Sequence, residues 1–239
     1  MPRLARFNLP GYPQHVIIRG NNREPIFVDK DDYHFYLEKL ERAMSVWACE
    51  LHAFVLMTNH VHLLITPTTD NGLSKAMQSL GRVYVQQFNY RYGRTGTLWE
   101  GRYKATLVDS EDYVLACYRY IEMNPVRANM VEHPSEYPWS SYRSNALGDT
   151  RLFITPHEVY KALGMSEDTR LGAYRSLFED DLNEQTITQI REMTNKAWVL
   201  GSSEFKKKIQ ALTDRPTGPK QKGGDRKSSA YKTANINRV

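Results

Sequence analysis

Only two residues, Thr58 and Asn59, separate two stretches that both read as β-strands, Leu51 to Met57 and His60 to Pro67. A parallel crossover needs about a dozen residues or more, so these stretches must pair as an antiparallel hairpin. Upstream lies His15-Val16-Ile17-Ile18-Arg19, apolar and β-branched as a buried strand requires. Gly20-Asn21-Asn22-Arg23 then reads as a turn. After it, Asp31 and Asp32 open a helical pattern with Tyr33, Tyr36, Leu37, Leu40 and Met44 at helical spacing. Downstream of the hairpin, Leu73, Met77, Leu80, Tyr84 and Phe88 mark a second helix, and 97–108 reads as a fourth strand. Strand, helix, hairpin, helix, strand is the order of a ferredoxin-like α+β unit: an antiparallel sheet with helices on one face.

Asp109-Ser110-Glu111-Asp112 then starts a further helix, expected to run to Asn124 because Pro125 disfavours helical geometry before it. The pattern changes beyond Ala128. His133 to Tyr142 is turn-rich and aromatic and is expected to wrap back on the sheet unit. Thr155-Pro156 marks a helix start, and further helices are expected near 167–178, 183–198 and 203–212. The expected organisation is a domain over 1–148, a small helical subdomain over 149–212 and a basic tail over 213–239. From Pro216 on the tail is nearly devoid of apolar residues, so it is expected to be disordered when free.

The net charge of +5 is uneven: residues 206–239 hold ten Lys/Arg against two Asp/Glu, which leaves the rest of the chain at −3. A second positive surplus lies in 75–104, where Lys75, Arg82, Arg91, Arg94, Arg102 and Lys104 face Glu100 alone. Clustered positive charge is the footprint of a polyanion partner. The aromatics interleaved there, Tyr84, Phe88, Tyr90, Tyr92, Trp99 and Tyr103, offer stacking faces for single-stranded nucleic acid, with two or three expected to serve that purpose. Arg19 and Arg23, flanking the first turn, are placed to reach a phosphate. No run of roughly 18 apolar residues spans a membrane, and no apolar leader opens the chain. Cys49 and Cys117 form no paired motif, which suits a reducing cytoplasm.

Two clusters suggest chemistry. Side chains alternate along a strand, so His60, His62 and Leu64 share one face, with the imidazoles' Cα atoms ~6–7 Å apart. That spacing suits one cation or one phosphate, and equally two sheet histidines bonded to backbone. On the helix at 109–124, Val114, Cys117, Tyr118 and Ile121 form an apolar stripe, so Tyr118 is expected in the core. Tyr120 lies about 200° around from Tyr118, with Ala116 and Asn124 one turn to either side of it. A phenol is a weak nucleophile at neutral pH and acts where a cation polarises the electrophile. Together these residues suit attack on a phosphodiester: His60, His62 and the Asn124 carboxamide oxygen as ligands, Tyr120 as nucleophile. Oxygen-loving Mg²⁺ and imidazole-tolerant Mn²⁺ are the cations expected, with Zn²⁺ also compatible.

Asn59-His60-Val61-His62 resembles the HUH motif (His-hydrophobic-His), and Tyr120-Ile121-Glu122-Met123-Asn124-Pro125-Val126-Arg127-Ala128 is similar to the active-site helix of the single-tyrosine HUH transposases. Gly20-Asn21-Asn22-Arg23, the run Gly93 to Lys104 and Trp139-Ser140-Ser141-Tyr142 resemble the branch called REP-associated tyrosine transposases. The resemblance covers roughly 10–145. It implies an enzyme that cleaves and rejoins single-stranded DNA at hairpin (REP-like) sites through a covalent 5′-phosphotyrosine, with a divalent metal, Mg or Mn, as cofactor. By matching, Tyr120 is the nucleophile and His60, His62 and Asn124 the metal ligands; other members carry Gln at the last position. Arg19, Arg23, Arg82, Arg94, Arg102 and Lys104 are the DNA-binding candidates. The resemblance further implies a monomer or homodimer acting in the bacterial cytoplasm, at the nucleoid, with no membrane partner. The alternatives are a domesticated, non-catalytic hairpin-binding protein and a metal-dependent hydrolase of a small molecule; the latter lacks an acidic general base beside the histidines.

Overall fold

The computed structural model describes residues 5–150 and 153–219. Its elements run β1 (Gln14–Arg19), α1 (Lys30–Val46), β2 (Cys49–Met57), β3 (His60–Pro67), α2 (Gly72–Arg91), β4 (Lys104–Leu107) and α3 (Ser110–Glu122). There follow α4 (Asn124–Arg127), α5 (Tyr142–Leu147), α6 (Glu158–Lys161), α7 (Glu167–Ser176), α8 (Glu184–Lys196) and α9 (Ser203–Leu212). The strands form one antiparallel sheet in the order β2-β3-β1-β4, the ferredoxin-like arrangement.

Strand alternation decides what each face meets. Val16, Ile18, Val61, Leu63, Phe54 and Leu56 point towards α1 and α2 and form one core with Tyr36, Leu40, Leu80 and Tyr84. Ala53, Val55, Met57 and Leu64 point the other way and pack with Val114, Cys117, Tyr118 and Ile121 of α3. The same second core takes in Tyr160, Tyr174, Ile187 and Ile190 from the C-terminal helices. Beyond the two helices expected on one face, the opposite face is therefore also roofed, by α3 and the segment after it.

Local chemistry fixes the elements. Asp29 caps α1, accepting from the Asp31 and Asp32 amides at 2.9 and 3.2 Å, and Asp32 returns a bond to the Asp29 amide. Arg91 at the end of α2 pairs with Asp29 and Asp31 at 2.6 and 3.0 Å, joining a basic helix end to an acidic helix start. The aromatic stretch does wrap back along edge strand β2: Leu56 donates to the Trp139 carbonyl at 2.9 Å and Tyr137 to the Leu56 carbonyl at 2.7 Å. An edge so covered is closed to pairing with other chains.

Three expectations are corrected. The fourth strand is confined to Lys104–Leu107. Upstream, Trp99 bridges to Gly20 and the Glu100 amide bonds the Arg19 carbonyl at 2.9 Å, and the Gly101-Arg102 turn then carries the chain out of register. α3 ends at Glu122, and Pro125 falls in the first turn of α4, where its missing N–H costs nothing. Helix α6 starts after Thr155-Pro156, capped by His157; the Thr155 amide is taken by the Leu51 carbonyl on the edge of β2 at 2.7 Å. Of the tail, residues 220–239 lie outside the described residues. The portion before them is packed, with Arg215 bonded to the Ala197 carbonyl and its guanidinium 4.0 Å from the Phe7 ring centre.

Candidate active site

The α3-facing side of the sheet brings together three imidazoles and one phenol. His60 and His62, two apart on β3, have ring centres 5.1 Å apart. His15 enters from neighbouring β1, whose register sets it opposite Leu64, diagonal to His62. Its ring meets His62 edge to edge, the ring centres 5.0 Å apart and the planes 23° from parallel, with 2.8 Å between His15 Nε2 and His62 Nδ1. The Tyr120 ring stands edge-on to both, 5.7 Å from His15 and 5.8 Å from His62. Arg127, on α4, lies 4.5 Å from the Tyr120 ring centre and donates to the Tyr120 carbonyl.

Tyr120 is the residue expected off the apolar stripe, yet it is 6% exposed, buried beside the histidines rather than in the α3 stripe. Tyr118 is fully buried against Tyr160 and Tyr174, as expected for core, and Tyr113 bonds Gln189 at 3.1 Å. Asn124 turns its carboxamide nitrogen onto the Tyr120 and Ile121 carbonyls at 3.1 and 3.3 Å. These hydrogen bonds run back to the last turn of α3 and not to the histidines, and they use the carboxamide nitrogen, not its oxygen.

The imidazoles are neutral. Burial lowers His60 to about 4, with Arg19 adding to the effect. Burial, then the neighbouring His15 and His60 and the guanidinium groups, holds His62 well below its usual range. His15, fully buried, is pushed down to about 3. A neutral ring keeps one bare nitrogen, the form a metal requires. The hairpin tip prepares His60: Asn59 Nδ2 donates to the Arg23 carbonyl at 2.9 Å, so Asn59 Oδ1 faces His60 Nδ1 at 2.7 Å. An amide oxygen only accepts, so the His60 proton sits on Nδ1 and Nε2 is bare. Gly20 makes this tip possible. Its amide reaches the Asn59 carbonyl at 2.8 Å, and a Cβ there would lie 2.4 Å from the Glu24 carbonyl oxygen. Among the described residues no group of three or more His, Cys, Asp or Glu side chains is arranged to hold a metal. By donor chemistry, two neutral imidazoles suit one divalent cation, and a carboxamide oxygen such as that of Asn124 is of a kind that could join them.

A groove of about 410 Å³ lies between β1, β4 and the loop after α8. Arg6, Arg19, Arg102, Lys104, Lys196 and Arg215 line it against the single acid Glu100. Arg19, which lines the groove, stands opposite His60 in the β1–β3 register, and its charge bears on both His60 and His62. Of the remaining basic candidates, Arg82 lines a second, more apolar groove of about 630 Å³ between α2 and the 99–103 loop. Arg94 is engaged by Glu24 at 3.7 Å, and Arg23 is exposed at the hairpin tip. The stacking aromatics are mostly spoken for: Tyr84, Phe88 and Tyr103 are buried and Tyr92 bonds Asp32, whereas Tyr90 is 87% exposed. Sequence reading missed His15, Arg127 and the basic residues Arg6, Lys196 and Arg215. The parity of His15 with Arg19 on β1 and the seven-residue spacing of Arg127 from Tyr120 were readable signals; Arg6, Lys196 and Arg215 come together only through tertiary packing.

Residues 10–124 match the family model described as IS200-like transposase. A solved structure of a REP-associated tyrosine transposase bound to a REP hairpin is 19% identical, with a TM-score of 0.53, over 66% of this chain and 93% of that one. At that identity the likeness is one of fold. A provisionally assigned transposase of Deinococcus radiodurans R1 is 23% identical over 51% of this chain and 95% of its own, with a TM-score of 0.35. No curated protein matches the chain.

Proposed function

We propose, from the match of residues 10–124 to the IS200-like transposase family model, that this chain cleaves and rejoins single-stranded DNA beside REP-like hairpins, with Tyr120 as the nucleophile. The observation that carries the reading is the Tyr120 ring set edge-on to His15 and His62, with the Arg127 guanidinium close above it. In this reading the Tyr120 oxygen attacks the phosphorus of a phosphodiester. The bond from phosphorus to the 3′ oxygen breaks, the phenol proton is given up, and the leaving 3′ oxygen takes one up. The product is a 5′-phosphotyrosine and a free 3′-OH. Attack by a second 3′-OH on that phosphotyrosine restores the phenol and rejoins the strand, so no external energy source is consumed.

His60, His62 and Asn124 are the residues that would hold a divalent cation, Mg²⁺ or Mn²⁺. Bound there, it would supply Lewis-acid polarisation of the phosphodiester. The chain's own contribution is positional. Arg127, lowered by burial to about 10 and still charged at neutral pH, sets positive charge beside a phenol that becomes anionic during attack. Arg19, Arg102 and Lys104 line the groove that would guide the strand inward, and Arg23, Arg82 and Arg94 would add phosphate contacts outside it. Tyr120 lies against histidines of its own chain, which supports attack in cis and a monomer as the working unit. In this assignment 1–148 is the catalytic domain, 149–212 its helical cover, and 213–239 a basic tail adding affinity for DNA. Genomic DNA as substrate would place the protein at the bacterial nucleoid.

Incubating the protein and Mn²⁺ or Mg²⁺ with a hairpin-flanked oligonucleotide is expected to give a covalent adduct resistant to denaturant. Tyr120→Phe is expected to abolish it while hairpin binding persists. An adduct still formed by Tyr120→Phe removes Tyr120 from the role. The second reading is a protein that binds hairpins and cuts nothing. It draws on the Asn124 carboxamide, whose nitrogen is bonded to the end of α3, and gains if wild-type protein binds the hairpin but gives no adduct with either cation.

A further inference from the structure

Behind His62 a chain of hydrogen bonds leaves the sheet and enters the C-terminal helices. His62 Nδ1 meets His15 Nε2 at 2.8 Å, and His15 Nδ1 meets Thr194 Oγ1 at 2.9 Å. All three residues are buried, and Thr194 sits on α8, far outside the matched segment 10–124. The nuclease reading uses His15 only as a ring beside Tyr120; it gives no part to the His15 ring nitrogens or to Thr194. We propose that His15 and Thr194 are positioning residues that hold His62 in the tautomer with its proton on Nδ1, so that Nε2 is the nitrogen presented to a cation. This rests on the metal assignment of the preceding section and adds to it the device that sets the ligand.

The chain of bonds admits two proton registers. In one, His62 donates from Nδ1 to His15 Nε2, and His15 donates from Nδ1 to Thr194. In the other, Thr194 donates to His15 Nδ1 and His15 donates from Nε2 to His62 Nδ1. That second register forces the His62 proton onto Nε2 and blocks it as a ligand. Two features favour the first. A threonine in a helix can send its own hydroxyl proton to the carbonyl one turn back, so Thr194 accepts from His15 without stranding a donor. His60 is already fixed by Asn59 with its proton on Nδ1, and only the first register gives His62 the matching form. Metal-binding histidines commonly donate their second ring N–H to such a partner, and loss of the partner costs roughly 10–100-fold in metal affinity. The β1–β3 register and the packing of α8 on the sheet put the parts in place: Thr106 of β4 donates to the Met193 carbonyl at 3.1 Å, holding the turn that carries Thr194.

The test uses full-length ¹⁵N-labelled protein without metal, reading the ring nitrogens of His62 by long-range ¹⁵N–¹H correlation, and Mn²⁺ affinity by titration. Wild type is expected to show His62 protonated on Nδ1. Thr194→Val keeps the volume but removes the acceptor, and His15→Phe keeps a ring but no nitrogen. Each is expected to move His62 towards the other tautomer and to weaken Mn²⁺ binding roughly tenfold or more. His15→Gln, with an oxygen to accept and a nitrogen to donate, is expected to restore most of the affinity lost in His15→Phe. A wild-type His62 protonated on Nε2 overturns the proposal, as does Mn²⁺ affinity unchanged within twofold in both Thr194→Val and His15→Phe. Should His62→Ala leave Mn²⁺ affinity unchanged, the metal assignment itself falls; the ring signals, read without a cation, tell that failure from failure of the hydrogen-bonded chain.

Discussion

Tyr120 shows how a residue's neighbours change the meaning of its phase on a helix. Its position about 200° from Tyr118 predicts that it leaves the α3 stripe, and it does, but it enters a pocket walled by His15, His62 and Arg127 instead of solvent. The pairing of His60 with His62 was legible because strand parity is local. The part played by His15 was not, because it depends on which strand lies next to β3. Arg127→Met keeps the aliphatic stem and removes the charge beside the phenol. It is expected to slow adduct formation about 10–100-fold, measured as single-turnover rate; an unchanged rate would show that the guanidinium only packs. The buried histidines also set a pH response. His52 bonds Thr66 and the Thr155 carbonyl at 2.7 Å each, and burial lowers it to about 4 from an ordinary 6.5. Between those values the unfolded chain binds the proton more readily than the folded one, so stability rises with pH across the window and is lost as pH falls from 6.5 towards 4, at about 1.4 kcal/mol per unit. Thermal melts of His52→Gln are expected to show a shallower acid loss than wild type, and an identical slope would assign the loss to other groups.

Among the elements, α3 has two jobs on two faces. One presents Tyr120; the other carries Glu122, a fully buried carboxyl that accepts from Ser141 at 2.5 Å, Asn145 at 2.7 Å and Tyr174 at 2.7 Å. Ser141 precedes α5, Asn145 lies on it and Tyr174 lies on α7, so one side chain clasps the active helix to its cover. Burial raises Glu122 to about 7, against the pull of its three donors. Glu122→Ala leaves three buried donors without their acceptor and is expected to cost ~3 kcal/mol or more, read by denaturant unfolding; a loss under ~1 kcal/mol would mean that water replaces the carboxyl. The helices and the hairpin were legible because capping residues, apolar spacing and a two-residue link are local signals. The fourth strand was read too long, since nothing in 97–103 announces that the bond from Glu100 to Arg19 is followed by a turn. The clasp had no signature at all, because Glu122, Ser141, Asn145 and Tyr174 meet only in three dimensions.

At the scale of the molecule, charge and core are distributed differently from the family match. The match ends at residue 124, whereas the core behind the sheet continues through Tyr160, Tyr174, Ile187 and Ile190. The basic groove likewise draws on Lys196 and Arg215 from the C-terminal segment. No helix among the described residues is long and apolar enough to cross a membrane. Residues 220–239 add six Lys/Arg against one Asp. Deleting them is expected to flatten the dependence of hairpin affinity on salt, since each lost phosphate contact removes about 0.7 from the log–log slope on single strands, while the melting temperature stays put. An unchanged slope would take the tail out of the interface.

The bond from His15 to Thr194 spans 179 positions of sequence. A ribosome adding roughly 5–20 residues per second needs on the order of ten seconds or longer to deliver the second partner after the first. Long-range contacts of this kind also form late in folding, since the entropy of closing so large a loop must be met first. The strand that carries the histidines is thus made early and completed last. A nascent chain would hold an unfinished cutting centre until almost the whole protein had been translated.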